Sequence, residues 1–175
     1  MLEIELKVRV PDLHEVRRHL AEIGARMTEK TREHDIYYNA PHRDFASTDE
    51  ALRVRYSNGK TIITYKGKKR RDSQFKAREE LNVGIDDGQV FEQVLERIGF
   101  RRGAVVDKER EYYVYKDASI ALDLVEGLGT FVEVEIMAEG IEGSDSARID
   151  EIAKLIGLEG EHILSSYLEM IESKQ

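Results

Sequence analysis

The chain lacks cysteine and tryptophan, and it has only two prolines among its 175 residues. Without cysteine, disulfide bonds, thiol catalysis and cysteine-bound zinc are excluded. No apolar run is long enough to cross a bilayer, and Glu3 and Glu5 stand where a signal peptide would be apolar. From these absences we expect a soluble, cytoplasmic protein without a membrane partner.

Charged residues, in contrast, are abundant, at 35% of the chain. The formal net charge of −8 argues against a nucleic-acid partner, although a local basic channel is compatible with it. The length suits one domain with one substantial core. No linker, repeat or low-complexity tract divides the sequence, so residues 1–175 are predicted to form a single domain.

The first predicted strand, residues 2–10, alternates apolar and charged residues without a break. Its apolar residues share one face, and Glu3, Glu5, Lys7 and Arg9 share the other. Such a charged face is either solvated, as on many antiparallel sheets, or lines a pocket where the charges pair with one another or with a ligand. The other strands decide between these alternatives.

Periodicity predicts seven more strands and four helices. The strands are residues 27–39, 52–57, 60–66, 74–83, 104–115, 119–125 and 130–138, and the helices are residues 13–23, 87–98, 144–156 and 163–172. Residues 40–50 and the basic run 66–71 are predicted as loops. An even number of antiparallel strands closes into a barrel without exposed edges, and about eight strands enclose one small ligand. The predicted fold is therefore α+β, an eight-stranded antiparallel β-barrel with flanking helices.

Charges recur at alternate positions on strand after strand. These positions hold the acids Glu3, Glu5, Glu80, Asp123, Glu133 and Glu135 and the bases Lys7, Arg9, Arg53, Arg55, Lys66, Lys76, Arg78, Lys108 and Arg110. Arg and Lys bind phosphate oxygens, and clustered carboxylates bind hard cations such as Mg²⁺. If these faces meet in one lumen, they indicate a metal–triphosphate site. The alternatives are an ion-pair ladder for Arg53, Arg55 and Lys66 and a solvated face for Glu133 and Glu135.

Residues 3–7 (EIELK) match the ExExK signature of the CYTH superfamily, which takes in class IV adenylyl cyclases, thiamine triphosphatases and inorganic triphosphatases. Further matches follow in the expected order at residues 34–37 (HDIY), 52–55 (LRVR), 65–67 (YKG), 78–80 (REE), 108–110 (KER), 122–123 (LD), 129–135 (GTFVEVE) and 166–167 (SY). The chain therefore resembles this family over nearly its whole length.

The resemblance implies a triphosphate tunnel with Mg²⁺ or Mn²⁺ as cofactor. The metal ligands that it implies are Glu3, Glu5, Glu133 and Glu135, with Asp123 nearby, and the catalytic set is Glu3, Glu5, Lys7, Glu133 and Glu135. The phosphate-binding residues that it implies are Lys7, Arg53, Arg55, Lys66, Arg78, Lys108 and Arg110. Either Glu79 or Glu80 also points inward, because a slip of one residue in register exchanges the two faces.

The resemblance also implies an enzyme acting on a small triphosphate: ATP, thiamine triphosphate or tripolyphosphate. Residues 34–40, 126–137 and 166–171 look closest to the class IV cyclase branch. The chain begins at the signature strand, without the N-terminal extension of bacterial cyclases in that branch, so we expect hydrolysis and keep cyclisation of ATP as the alternative. A non-catalytic polyphosphate or nucleotide sensor is a third alternative, which the carboxylates disfavour. Both a monomer and a homodimer are compatible with the sequence.

Overall fold

Eight antiparallel strands close into a barrel in the computed structural model, which describes residues 2–72, 75–138 and 143–174. In chain order the elements are β1 (Leu2–Arg9), α1 (Leu13–Glu22), β2 (Arg26–Asn39), α2 (Phe45–Thr48), β3 (Ala51–Ser57), β4 (Lys60–Lys66), β5 (Arg70–Asp72), β6 (Phe75–Ile85), α3 (Gly88–Arg97), β7 (Arg101–Tyr115), β8 (Ala118–Val125), β9 (Gly129–Ala138), α4 (Gly143–Leu155) and α5 (Tyr167–Glu172). Around the barrel the order is β1-β9-β8-β7-β2-β3-β4-β6, and β6 pairs again with β1. The predicted eight-stranded antiparallel barrel with flanking helices is confirmed.

Two short elements lie where loops were predicted. α2 forms within residues 40–50, because Asp44 accepts a hydrogen bond from the backbone N–H of Ala46 and Phe45 buries its ring. β5 forms within the basic run, where Arg70 pairs with Ala77 and prolongs the edge of β6 beyond β4. Both are too short to show a period in the sequence, so their formation depends on the neighbours that tertiary folding provides.

The strand and helix boundaries differ from the prediction at a few ends. α5 begins at Tyr167 and not at residue 163, because Ser166 caps it and Glu169 completes a capping box. β7 begins earlier than predicted, and β6 continues to Ile85. Gln74, the predicted start of the β6 strand, lies outside the described residues.

The apolar core lies between the outer wall of the barrel and the helices. The outward side chains Ile4, Leu6 and Val8 of β1 are at most 1% exposed. They form one cluster with Leu20 of α1 and Ile149 of α4. Burial of this surface is the main favourable contribution to folding. Successive residues of a strand point to opposite faces. Burial of the apolar side chains of β1 outside the barrel therefore also places Glu3, Glu5 and Lys7 in the lumen.

Among the described residues, no helix has the length and apolar character needed to cross a membrane.

Candidate active site

A cavity of about 260 Å³ lies inside the barrel. Its charged lining residues are Glu3, Glu5, Lys7, Asp35, Arg53, Arg55, Lys66, Lys76, Arg78, Glu80, Lys108, Arg110, Glu133 and Glu135. They come from seven of the eight barrel strands, each contributing alternate positions. The charged faces therefore meet in one lumen, as the sequence pattern indicated, and every predicted site residue except Asp123 lines it.

Three carboxylates gather at one place on this lining. Oxygens of Glu3, Glu5 and Glu135 lie within 4.8 Å of one another, and Glu5 and Glu135 face each other across β1 and β9. Burial and the nearby Glu135 raise the pKa of Glu3 to about 9. Burial, Glu133 and Glu5 raise the pKa of Glu135 to about 7. A proton or a cation must reduce this repulsion, and three carboxylate oxygens suit a hard divalent ion such as Mg²⁺ or Mn²⁺.

The other two predicted metal ligands have cationic partners. Glu133 accepts a hydrogen bond from Arg110 at 2.5 Å and forms an ion pair with Lys7 at 3.2 Å. Asp123 is fully buried behind the lining, where both its oxygens accept from Arg110 and one also accepts from the hydroxyl of Tyr167 at 2.6 Å. Asp123 therefore lies apart from the three-carboxylate group, and its lone pairs serve Arg110 and Tyr167. Its predicted role as a metal ligand stays a prediction.

Lys7 connects the acids to the closing segment of the chain. Its ammonium lies 3.4 Å from Glu5 and 3.2 Å from Glu133, and it donates to the backbone carbonyl of Ser165 at 3.2 Å. The ring of Tyr167 lies beneath it, with the centroid 4.2 Å from the ammonium. Burial disfavours its charge, but Glu5 and Glu133 raise the pKa of Lys7, so it stays protonated.

The register of β4 and β6 identifies the inward acid of the pair that the sequence left open. Lys66 lies opposite Glu80, and the two side chains form an ion pair within the lumen. Although burial opposes ionisation, Lys66 lowers the pKa of Glu80 to about 2. Glu79 is exposed on the outer side. Glu80 is therefore the tunnel residue.

Two basic residues differ from the simple pattern of inward cations. Arg78 lines the cavity, but it donates to the backbone carbonyls of Gly67 at 2.8 Å and Asp49 at 3.1 Å, and so it braces the loops at the barrel end. Arg9, counted with the inward charges, is instead exposed at the end of β1, with its guanidinium over the ring of Phe131. It lies where the strand leaves the barrel, so the alternation no longer directs it into the lumen.

The sequence analysis gave no role to Glu33 and Asp35, two acids of β2 that are each only 1% exposed. Asp35 accepts from Arg55 and Lys108, and Glu33 accepts from the hydroxyl of Tyr112. Most of β2 is polar on both faces, so its alternation did not identify an inward side. The only signal was Asp35 itself, within the HDIY segment that carried the family resemblance.

The closed antiparallel barrel and its buried lining of acids and bases place this protein in the class of tunnel-shaped, charge-lined barrels. The family model described as CYTH domain matches residues 1–167, and the chain belongs to this family. A Methanocaldococcus jannaschii protein named "Putative adenylate cyclase" is 38% identical, over 97% of this chain and 98% of that protein. An Aeromonas hydrophila protein named adenylate cyclase CyaB is 25% identical, over 89% of this chain and 81% of that protein.

The fold is also similar to that of solved structures. A Pyrococcus horikoshii protein superposes with a TM-score of 0.87 at 36% identity, covering 99% of both chains. The barrel, the helices outside it and the whole length of the described chain thus have a counterpart in a related protein.

Proposed function

We propose that this protein is a divalent-metal-dependent enzyme that hydrolyses a small triphosphate and releases phosphate. One observation carries the proposal: a group of three carboxylates suited to a hard cation shares a buried lumen with a surplus of fixed bases. The lining holds eight Lys or Arg residues and six Asp or Glu residues. A pure anion-binding site gains nothing from carboxylates, whereas a metal–triphosphate site needs both signs of charge.

The proposed roles follow from the contacts. Glu3, Glu5 and Glu135 would hold Mg²⁺ or Mn²⁺, which would polarise a phosphoryl oxygen and lower the pKa of a bound water. The chain's own bases position and neutralise the phosphate chain, which is the main task of a protein in phosphoryl transfer. Burial opposes the charge of Lys66, but Glu3 and Glu80 raise the pKa of this lysine, so it stays charged beside the carboxylates. Water attacks the terminal phosphorus, and the bond from that phosphorus to the bridging oxygen breaks.

The character of the lumen favours hydrolysis. Its lining in the described part of the chain is mainly charged, with Ala51, Ile62 and Leu168 as its aliphatic members. A volume of about 260 Å³ is below the range of about 300–1,000 Å³ typical of pockets that enclose a drug-sized ligand. The charged lining suits a phosphate chain, and hydrolysis requires only that chain and water, whereas a purine ring would depend on Tyr37, Tyr112 or Tyr167, the aromatic members of the lining.

The second candidate is an adenylate cyclase, in which a ribose 3′-oxygen attacks the α-phosphorus of ATP and pyrophosphate leaves. The names of the Methanocaldococcus and Aeromonas relatives favour it. Both reactions use the same metal and the same bases, and they differ in which phosphorus meets the nucleophile.

The test is a panel of ATP, thiamine triphosphate and tripolyphosphate with Mg²⁺ or Mn²⁺, in which phosphate, pyrophosphate and cyclic AMP are all measured. We expect metal-dependent phosphate release that is abolished in Glu135→Gln and retained in the matched control Glu151→Gln, an exposed acid on α4. Cyclic AMP with pyrophosphate would favour the cyclase. Binding of tripolyphosphate without any turnover would favour a sensor and contradict the proposal.

A further inference from the structure

The two arginines of β3 that point into the lumen have different environments. The guanidinium of Arg55 donates two hydrogen bonds to the carboxylate of Asp35, from Nε at 2.6 Å and from a terminal nitrogen at 2.7 Å. The same terminal nitrogen lies 3.1 Å from Glu33. The guanidinium edge that would bind two phosphate oxygens is thus already bound to carboxylates.

Lys108 completes this group. Its ammonium donates to Asp35 at 2.8 Å and lies 3.0 Å from Glu33. Both acids are ionised: burial opposes ionisation, but Lys108 and Arg55 lower the pKa of Glu33 to about 2, and Lys108 and Arg53 lower that of Asp35 well below its usual value. Two acids therefore neutralise two bases in a site that is almost fully buried.

The guanidinium of Arg53, in contrast, donates no hydrogen bond to a carboxylate in the described structure. One terminal nitrogen donates to the hydroxyl of Thr64 at 3.0 Å, and the Nε atom, buried within the described structure, has no hydrogen-bond partner. The distance to the carboxylate of Asp35 is 4.0 Å, too long for a hydrogen bond. Arg53 is only 8% exposed and lines the cavity, so its guanidinium is enclosed by the barrel and not by bulk water.

Strand register causes the difference. On β2, Asp35 lies directly opposite Arg55, whereas Tyr37 lies opposite Arg53. Direct cross-strand partners are the closest side chains on a sheet face, so Asp35 accepts two hydrogen bonds from Arg55 but meets Arg53 only as an ion pair at 4.0 Å.

We propose that Asp35, assisted by Glu33, is a positioning residue that fixes Arg55 and Lys108 as a neutral wall of the tunnel and leaves Arg53 to bind the phosphate chain. A phosphate that displaced Asp35 from Arg55 would leave a buried carboxylate unpaired beside another anion, which is costly. A phosphate at Arg53 would compete only with the 4.0 Å ion pair to Asp35, because no hydrogen bond joins those two side chains among the described residues. This inference rests on the proposed function, because it assumes a phosphate ligand in the lumen.

The test is calorimetric titration of the non-hydrolysable imido analogue of tripolyphosphate in the presence of Mg²⁺. We expect Arg53→Gln to weaken binding at least about tenfold, the order expected when a partner of a buried charged contact is lost. Arg55→Gln alone would leave two acids unpaired, so the informative variant is the pair Asp35→Asn with Arg55→Gln, which removes one charge of each sign. We expect that double variant to bind within about threefold of wild type, because the neutral wall is conserved in charge.

The single variant Asp35→Asn separates a positioning role from a purely structural one, because a disrupted fold would weaken binding of the analogue and not tighten it. With the fork of Arg55 released and one repelling anion removed, we expect tighter binding of the analogue, and a lower KM together with a lower kcat for tripolyphosphate. Thermal unfolding of each variant is measured in parallel, and the double variant serves if Asp35→Asn does not fold.

Binding by Arg53→Gln that equals wild type, or a double variant that loses as much affinity as Arg53→Gln, would overturn the inference while the proposed function stands. Failure of the wild-type protein to bind the analogue with Mg²⁺ would overturn the proposed function itself, and this inference with it.

Discussion

Arg110 and Asp123 face each other across β7 and β8 and form a two-bonded ion pair inside the barrel wall, at 2.6 and 2.5 Å. Asp123 holds Arg110 from behind, while Glu133 holds it from the lumen side. An acid that the motif suggested as a metal neighbour thus has a structural partner that uses both of its oxygens. Both oxygens of Asp123 are thus bound to a base, whereas Glu3, Glu5 and Glu135 bring carboxylate oxygens together within 4.8 Å, although Glu5 also pairs with Lys7 and Lys76.

Asp123→Asn is expected to destabilise the fold by about 3–5 kcal/mol, because it leaves the buried Arg110 with one partner fewer. The number of Mn²⁺ ions bound is expected to stay the same. Urea unfolding and equilibrium dialysis measure the two quantities. Tyr167→Phe is the control: it removes only the hydroxyl donor to Asp123, at a cost of about 1 kcal/mol. Unchanged stability with fewer bound ions would return Asp123 to the metal site.

Metal binding is expected to strengthen as the pH rises from about 6 to about 9, the range in which Glu135 and Glu3 of the three-carboxylate group titrate. The raised pKa values of about 7 for Glu135 and about 9 for Glu3 mean that a proton occupies each carboxyl at lower pH. A cation must displace these protons, so its affinity rises as they dissociate, and binding releases protons. Titration of Mn²⁺ in buffers of different ionisation enthalpy measures the release.

Glu135→Gln is expected to remove the part of this pH dependence that lies near pH 7, because Glu135 is the acid with a pKa of about 7. Equal affinity at both ends of the pH range, without proton release, would contradict the three-carboxylate site.

Acid stability should depend on Glu33. Its pKa is lowered from 4.5 to about 2 in the fold, where burial is outweighed by Lys108 and Arg55. A group with a depressed folded pKa stabilises the protein above its unfolded pKa, and that stability is lost as the pH falls toward the folded value. The shift corresponds to about 3 kcal/mol, lost between roughly pH 4.5 and 2.

Glu33→Gln is therefore expected to be less stable than wild type at neutral pH and to lose less stability over the acid range. Urea unfolding at neutral pH and at two or more acid pH values measures how the free energy of unfolding changes with pH in the variant and in wild type. Exposed Glu151 on α4 supplies the comparison, and Glu151→Gln is expected to follow wild type. Parallel curves for Glu33→Gln and wild type would show that the ion pairs of Glu33 add nothing to acid stability.

The start of α3 is closely packed against the outer wall of the barrel. A Cβ atom at Gly88 would lie 2.5 Å from the ring of Tyr56 and 2.7 Å from a methyl carbon of Thr61. Gly88→Ala is expected to cost about 1–3 kcal/mol in thermal or urea unfolding, because the neighbours must move. Gly84→Ala, where a Cβ atom meets nothing within 4 Å, is expected to change stability by less than about 0.5 kcal/mol. If Gly88→Ala and Gly84→Ala changed the free energy of unfolding equally, the neighbours of Gly88 would be able to move aside at no cost, contrary to this prediction.

The inward face of a strand could be predicted wherever its alternation was clean. β1 alternates strictly and β9 alternates over residues 132–136, so Glu5 and Glu135 could each be placed on the charged face of their strand. The polar strand β2 has no such pattern, and Glu33 and Asp35 received no role. Arg9 follows the alternation of β1 but lies past the point where the barrel encloses the strand. Periodicity assigns a face, but it does not show where along a strand the face is enclosed.

The sequence by itself determined the eight barrel strands, the inward faces of those that alternate, the family and the signs of charge that enter the lumen, because these depend on local periodicity and on motifs read along the chain. Only the tertiary structure decided which carboxylate neutralises which base: Asp35 at Arg55, Asp123 at Arg110, and Glu80 at Lys66. The reason is that an ion pair depends on register and distance between strands remote in sequence, as for Asp35 and Lys108. A few ångströms of barrel stagger decide whether an acid binds a base or stays free for a cation.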